Sequence, residues 1–139
     1  MGSSYFSFGI APAPMKADED LESYQWHAVM CASTTGNVAS TTGACNKFAI
    51  GILTNSPSAG QEATVVMLGP TKACVRPNGS DLFQGRLLTV GSDAVLEPWV
   101  TAGCPIFGRY LGASSGTAGG SFLGNVLVLP IAAGSTSGS

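Results

Sequence analysis

Ala49-Ile50-Gly51-Ile52-Leu53-Thr54-Asn55-Ser56-Pro57, then Ser58-Ala59-Gly60-Gln61-Glu62, then Ala63-Thr64-Val65-Val66-Met67-Leu68-Gly69-Pro70 reads as two short apolar strands around a polar turn. Both runs are too short for helices, and each ends at residues that punctuate the chain, Asn-Ser-Pro in one case and Gly-Pro in the other. A hairpin is therefore expected here. Upstream, residues 24–31 are rich in aromatic and branched side chains and run into Ser33-Thr34-Thr35-Gly36-Asn37, a turn-forming cluster. Downstream, residues 72–76 alternate before Pro77-Asn78-Gly79-Ser80, and Asn-Gly favours turns with positive φ. Residues 86–90, 94–96, 97–100, 106–111 and 125–129 read as further short strands with Gly, Ser and Pro between them.

Strands every 8 to 12 residues or so predict an all-β fold, a small compact β-sandwich or barrel-like domain. Its expected extent is residues 23–131, preceded by an extended N-terminal arm and acidic linker at 1–22 and followed by a flexible tail at 132–139. In the arm, Phe6, Phe8 and Ile10 alternate with Ser7 and Gly9 ahead of Ala11-Pro12-Ala13-Pro14, where proline disfavours helix. That pattern suits either a first strand of the domain's own sheet or a strand that pairs with a neighbour. Asp18, Glu19, Asp20 and Glu22 read as a solvated linker.

An internal echo links two segments. Ile50-Gly51-Ile52-Leu53 with Val65-Val66-Met67-Leu68-Gly69-Pro70 resembles Phe107-Gly108-Arg109-Tyr110-Leu111 with Val126-Leu127-Val128-Leu129-Pro130, the second copy having a longer loop. Either a hairpin unit recurs, or Gly- and Val-rich hairpins are alike by chance.

Composition narrows the function. Of 139 residues 45% are hydrophobic and only 10% charged, with net charge -2 and no basic run, so phosphate neutralisation has nothing to work with and nucleic acid is not an expected partner. No stretch approaches the length of a membrane span, and residues 1–10 lack a basic region before their apolar residues, so synthesis in a cytosol without a signal peptide or anchor is expected. In that setting Cys31, Cys45, Cys74 and Cys104 default to thiols, mostly small buried hydrophobes, while spacing alone leaves disulfide pairing open. They form no close pair, and His27 is the sole histidine, so no metal and no cofactor are expected.

Four chemical readings can be built, and each weakens against a plainer one. Gly112-Ala113-Ser114-Ser115-Gly116 matches the serine-hydrolase string, but Thr117-Ala118-Gly119-Gly120 replaces the helix a nucleophile elbow needs, and His27 precedes Ser114 rather than following it. A lone histidine beside Trp26 is read as structural. Tyr24, Trp26 and Trp99 could stack on a glycan, with Glu97 as the adjacent carboxylate, though core or interface packing is the plainer reading. Asp81, Asp93 and Glu97 show no spacing that marks catalytic carboxylates. No enzyme is expected.

Taken in order, the aromatic strand, the Ser/Thr/Gly turn, residues 49–55 through 60–65, Gln84-Gly85-Arg86-Leu87-Leu88 and the closing Phe-Gly-Arg-Tyr-Leu hairpin resemble the capsid decoration, or cement, proteins of tailed bacteriophages. The resemblance runs from about Tyr24 to Pro130. It implies a β domain, commonly a homotrimer, that sits on the outer face of the phage head and clamps neighbouring major capsid subunits. It also implies localisation to the virion after synthesis in the host bacterial cytoplasm. The arm and the two tryptophans have no counterpart in that pattern. Tyr5, Phe6, Phe8, Ile10, Trp26 and Trp99 are the expected partner-binding residues. A glycan-binding module of the virion surface and a tail-associated structural protein are the competing roles.

Overall fold

A computed structural model describes residues 15–113 and 120–131. The arm residues Tyr5, Phe6, Phe8 and Ile10, and also Ser114, lie outside the described residues. The architecture is all-β, as the strand spacing implies, with one 3₁₀ turn over Ser92–Ala94 among the described residues.

Eleven strands are assigned among the described residues: β1 Met15–Lys16, β2 Ala28–Cys31, β3 Val38–Ser40, β4 Ala49–Leu53, β5 Glu62–Ala63, β6 Val65–Val66, β7 Gly69–Val75, β8 Leu87–Val90, β9 Leu96–Pro98, β10 Ile106–Ala113 and β11 Phe122–Ile131. Five close into a barrel in the order β10-β11-β7-β9-β8, all antiparallel except β7 against β9. Four form a second sheet, β3-β2-β4-β6, and β1 pairs with β5. Closure removes the barrel's edges, which an open sheet of this apolar content would expose.

The period-2 rule explains how the two units join. On the four-stranded sheet Ala28, Ile52 and Val66 point one way, into a cluster with the barrel residues Val75, Leu88, Val90, Leu96, Phe107, Val126 and Val128. Val29, Leu53 and Val65 point the other way and meet Ala17, Leu21, Val38 and Ala63. The sheet is thus apolar on both faces, and residues 15–21 cover the face the barrel leaves open.

That cover corrects the expected linker. Leu21 is fully buried, Met15 pairs with Ala63, and Ala17 bridges Val38 in parallel. The four acids remain exposed, yet three of them tie the segment down: Glu19 accepts from the Ser40 N–H and hydroxyl, Asp18 from the Thr35 hydroxyl, and Glu22 from the Ser58 hydroxyl. Burial of Leu21 alone supplies about 2 kcal/mol, more than a solvated linker would retain.

Two other expectations change. Residues 24–27, expected as the start of a strand, form a bend in which Trp26 takes φ 72, donating its N–H to Leu53 and accepting from Cys74 through its carbonyl. Gly69-Pro70, expected to stop a strand, opens β7 instead. Gly69 turns the chain at φ 113, and Pro70 pairs only with β11, where a missing N–H interrupts no second ladder.

The echo has a geometric basis. Ile52 pairs with Val66 and Leu53 with Val65; at the matching positions Arg109 pairs with Leu127 and Tyr110 with Val126. A Cβ on Gly51 would lie 2.3 Å from the Val66 carbonyl oxygen, and one on Gly108 would lie 2.2 Å from that of Leu127. Each unit therefore needs a bare backbone at the same point of the same register, one in the sheet and one in the barrel.

Candidate functional site

The turn before β8 builds an exposed surface feature. The Arg86 N–H bonds the Phe83 carbonyl, Gly85 reaches the Tyr110 carbonyl at φ 91, the Tyr110 N–H returns to Arg86, and the Gln84 amide donates to Leu111. The turn is thereby stitched to β10. On the other side the Trp99 N–H bonds the Leu87 carbonyl, placing the indole at the end of β9 against the same turn.

Phe83, Gly85, Arg86, Leu87 and Trp99 line a shallow groove of about 310 Å³. Phe83 is 55% exposed, and so are Val100 (63%), next in the chain to Trp99, and Leu111 (41%), which Gln84 contacts. Arg86 lies over the Phe83 ring, 5.4 Å from its centroid, and Arg109 donates to the Gly85 carbonyl. The result is an open apolar surface with a cationic rim.

Trp99 is therefore on this surface, whereas Trp26 is not among the residues lining the groove. The Trp26 backbone links β4 to β7, and the neighbouring His27 ring bonds the Gln25 carbonyl through Nδ1 and meets Tyr24 edge-on. Trp26, expected beside Trp99 as a contact residue, thus has its backbone engaged inside the fold. Phe83 and Arg86 are not among the contact residues expected from the sequence, although Arg86 lies in the Gln84-Gly85-Arg86-Leu87-Leu88 stretch. The sign of them is Leu82-Phe83, an apolar pair set among Ser80, Asp81, Gln84 and Arg86.

Glu97 does not serve Trp99 as a glycan-binding carboxylate. It is 7% exposed, and its oxygens accept from Arg76 Nε and Nη2 and from Asn78 Nδ2. Arg76 also reaches Asp93 and the Ser92 carbonyl and hydroxyl. A Cβ on Gly91 would sit 2.2 Å from the Glu97 carboxyl carbon, so glycine makes the room for this carboxylate. The Glu97 hydrogen bonds hold the Arg76 guanidinium above its ordinary pKa. A cation raised in this way stabilises the fold at every pH below its unfolded value and loses that contribution only as pH rises through the raised one, so the raised guanidinium adds no slope near neutral pH.

Arg76→Met is expected to cost about 3 kcal/mol in urea unfolding, because it leaves a nearly buried carboxylate without its cation. Asp93→Asn, at an exposed partner, should cost under about 0.5 kcal/mol.

The cysteines divide. Cys45 and Cys104, 59 positions apart and expected as thiols, form a disulfide with their Cα atoms 5.0 Å apart. The spacing of the sequence hides this pairing because the fold alone brings the two loops together. Cys31 is exposed and free; Cys74 is half-buried and free, with burial pushing its thiol up and Arg76 drawing it partly back. Among the described residues no group of three or more His, Cys, Asp or Glu side chains could hold a metal ion.

No family model and no curated protein matches the chain. Among solved structures it is similar to the N base of the head fiber gp8.5 of bacteriophage phi29, at a TM-score of 0.54 and 15% identity, over 84% of this chain and 92% of that one. The fold is therefore shared with a phage head fiber base.

Proposed function

We propose that this chain is a structural protein of a tailed-bacteriophage virion, a decoration protein that sits as a homotrimer on the outside of the head and holds to neighbouring major capsid subunits. The observation that carries the reading is the fold shared with a phage head fiber base across most of both chains. The open apolar groove around Phe83 and Trp99 supports it, since an adhesive β domain needs exposed apolar area. The scarcity of charge lowers the desolvation cost of such a contact. The neighbour's name refers to a head fiber, which favours the head over the tail as the location. Tyr5, Phe6, Phe8 and Ile10, outside the described residues, are assigned in this reading to the contact with an adjacent subunit, as an added strand or an apolar anchor. No reaction, cofactor or nucleic acid enters it.

The experiment is co-sedimentation of the purified protein with undecorated heads of the cognate phage, with the solution mass measured in parallel. Saturable binding by a trimer is expected. Trp99→Ala and Phe83→Asp should each weaken it by about tenfold or more, as for a central aromatic anchor. Absence of binding by the unaltered chain overturns the proposal, and a monomeric mass overturns the trimer.

A further inference from the structure

We propose that the Cys45–Cys104 disulfide is a redox lock on the Trp99 surface, open in the reducing cytosol where the chain is made and closed once the particle leaves it. The two compartments come from the virion reading above; the lock itself rests on this chain's own geometry.

The bridge joins two loops from different parts of the fold. Cys45 lies between β3 and β4 of the four-stranded sheet, and its N–H donates to the Val90 carbonyl at the end of β8 in the barrel. Cys104 lies between β9 and β10. Its carbonyl accepts the Trp99 indole N–H at 2.8 Å, and its N–H closes a turn onto Thr101. The loop at 99–105 therefore carries Trp99 and Val100 at one end and the bridge at the other. Fixing Cys104 fixes the acceptor that orients the indole, so the covalent state of the pair reaches the groove through a single hydrogen bond.

The backbone holds the partners at 5.0 Å between Cα atoms, inside the range that a disulfide spans, so a folded dithiol is preorganised to close. Accessibility sets the order of events. Cys45 is half-buried, whereas Cys104 is 8% exposed. The Cys45 thiolate attacks one sulfur of a low-molecular-weight disulfide such as oxidised glutathione, expelling one small thiolate and leaving a mixed disulfide on Cys45. The Cys104 thiolate then attacks the Cys45 sulfur and expels the second small thiolate. Two protein thiols lose their protons and are oxidised, and the two sulfurs of the small disulfide are reduced. Cytosolic glutathione drives the same steps in reverse, whereas the virion exterior lets the bridge persist.

The test uses the full-length chain, purified under reductant and then exposed to oxidised glutathione. Denaturing alkylation followed by intact mass and peptide mapping should show two of the four thiols consumed, at Cys45 and Cys104. Amide exchange at residues 99–105 should slow by about tenfold or more on oxidation, read at early times at which local opening rather than global unfolding sets the rate. In a Cys31→Ser, Cys74→Ser background, adding Cys104→Ser should trap glutathione on Cys45 faster than adding Cys45→Ser traps it on Cys104. Alkylation inside infected cells should find both thiols free, and on released particles neither. Four alkylatable thiols after oxidation, or identical exchange in the two states, overturns the lock; a bridge already formed inside the cell overturns its timing. Failure of either form to bind heads counts against the virion reading instead, because alkylation and exchange are read on the protein alone.

Discussion

A Gly108→Ala protein is expected to lose about 3 kcal/mol or more of stability, at the upper end of what overpacking a core costs. The methyl would lie 2.2 Å from the Leu127 carbonyl oxygen, 3.2 Å from its carbon and 3.4 Å from the Val128 Cα. All three are backbone atoms, so no rotamer change relieves the clash. β10 and β11 would have to part by roughly 1 Å, in a close-packed interior that has no slack to absorb it. β10 is also paired with β8 through Gly108 and Leu88, so the displacement would strain both neighbours of a closed barrel. Gly51→Ala should behave alike, since its methyl meets the Val66 oxygen at 2.3 Å and a Val65 methyl at 2.7 Å. Gly120, with open space around it, is the control and should tolerate alanine with no loss. Urea midpoints at constant m-value would measure all three; a Gly108→Ala midpoint equal to that of Gly120→Ala would contradict the geometry.

The second large effect concerns the bridge. Joining residues 59 apart removes loop-closure entropy from the unfolded chain worth about 4 kcal/mol in the chain-entropy description. The double replacement Cys45→Ser, Cys104→Ser should therefore lower Tm by roughly 10–15 °C for a domain of this size. Reduction of the unaltered chain should reproduce most of that drop, and adding reductant to the double variant should change nothing further. Thermal melts followed by circular dichroism decide it, and a Tm within about 3 °C of the oxidised protein would show that the denatured ensemble is already compact.

What the sequence reveals follows the range over which the information acts. The Asn78-Gly79 turn is legible because both residues take positive φ, 48° and 82°, which this pair tolerates by itself. The β4 and β6 pairing is legible too, because the two strands flank a short polar turn. The seven-residue ladder between β7 and β11 and the parallel contact of β7 with β9 join segments far apart in the chain, and no local propensity announces them. The same holds for the disulfide and for Glu97, whose role depends on Arg76 arriving from another strand. Leu21 was concealed differently: one apolar residue among four acids gives no periodicity, and its burial follows from the unpaired face of the four-stranded sheet. At the groove, Trp99 is conspicuous by its residue type, whereas Phe83 and Arg86 join it only because the turn carrying them is bonded to β10.

The cover formed by residues 15–21 also determines how the molecule would respond to pulling. Any tension applied ahead of Met15 enters the fold through a two-residue ladder to Glu62 and Ala63 and a parallel bridge to Val38, then meets the Glu19 carboxylate and the buried Leu21 side chain. The barrel lies beyond the four-stranded sheet and bears none of the load until those attachments yield. The first rupture would therefore peel residues 15–21 away and bare one apolar face while the closed β structure stays intact, so mechanical failure would be stepwise rather than all at once.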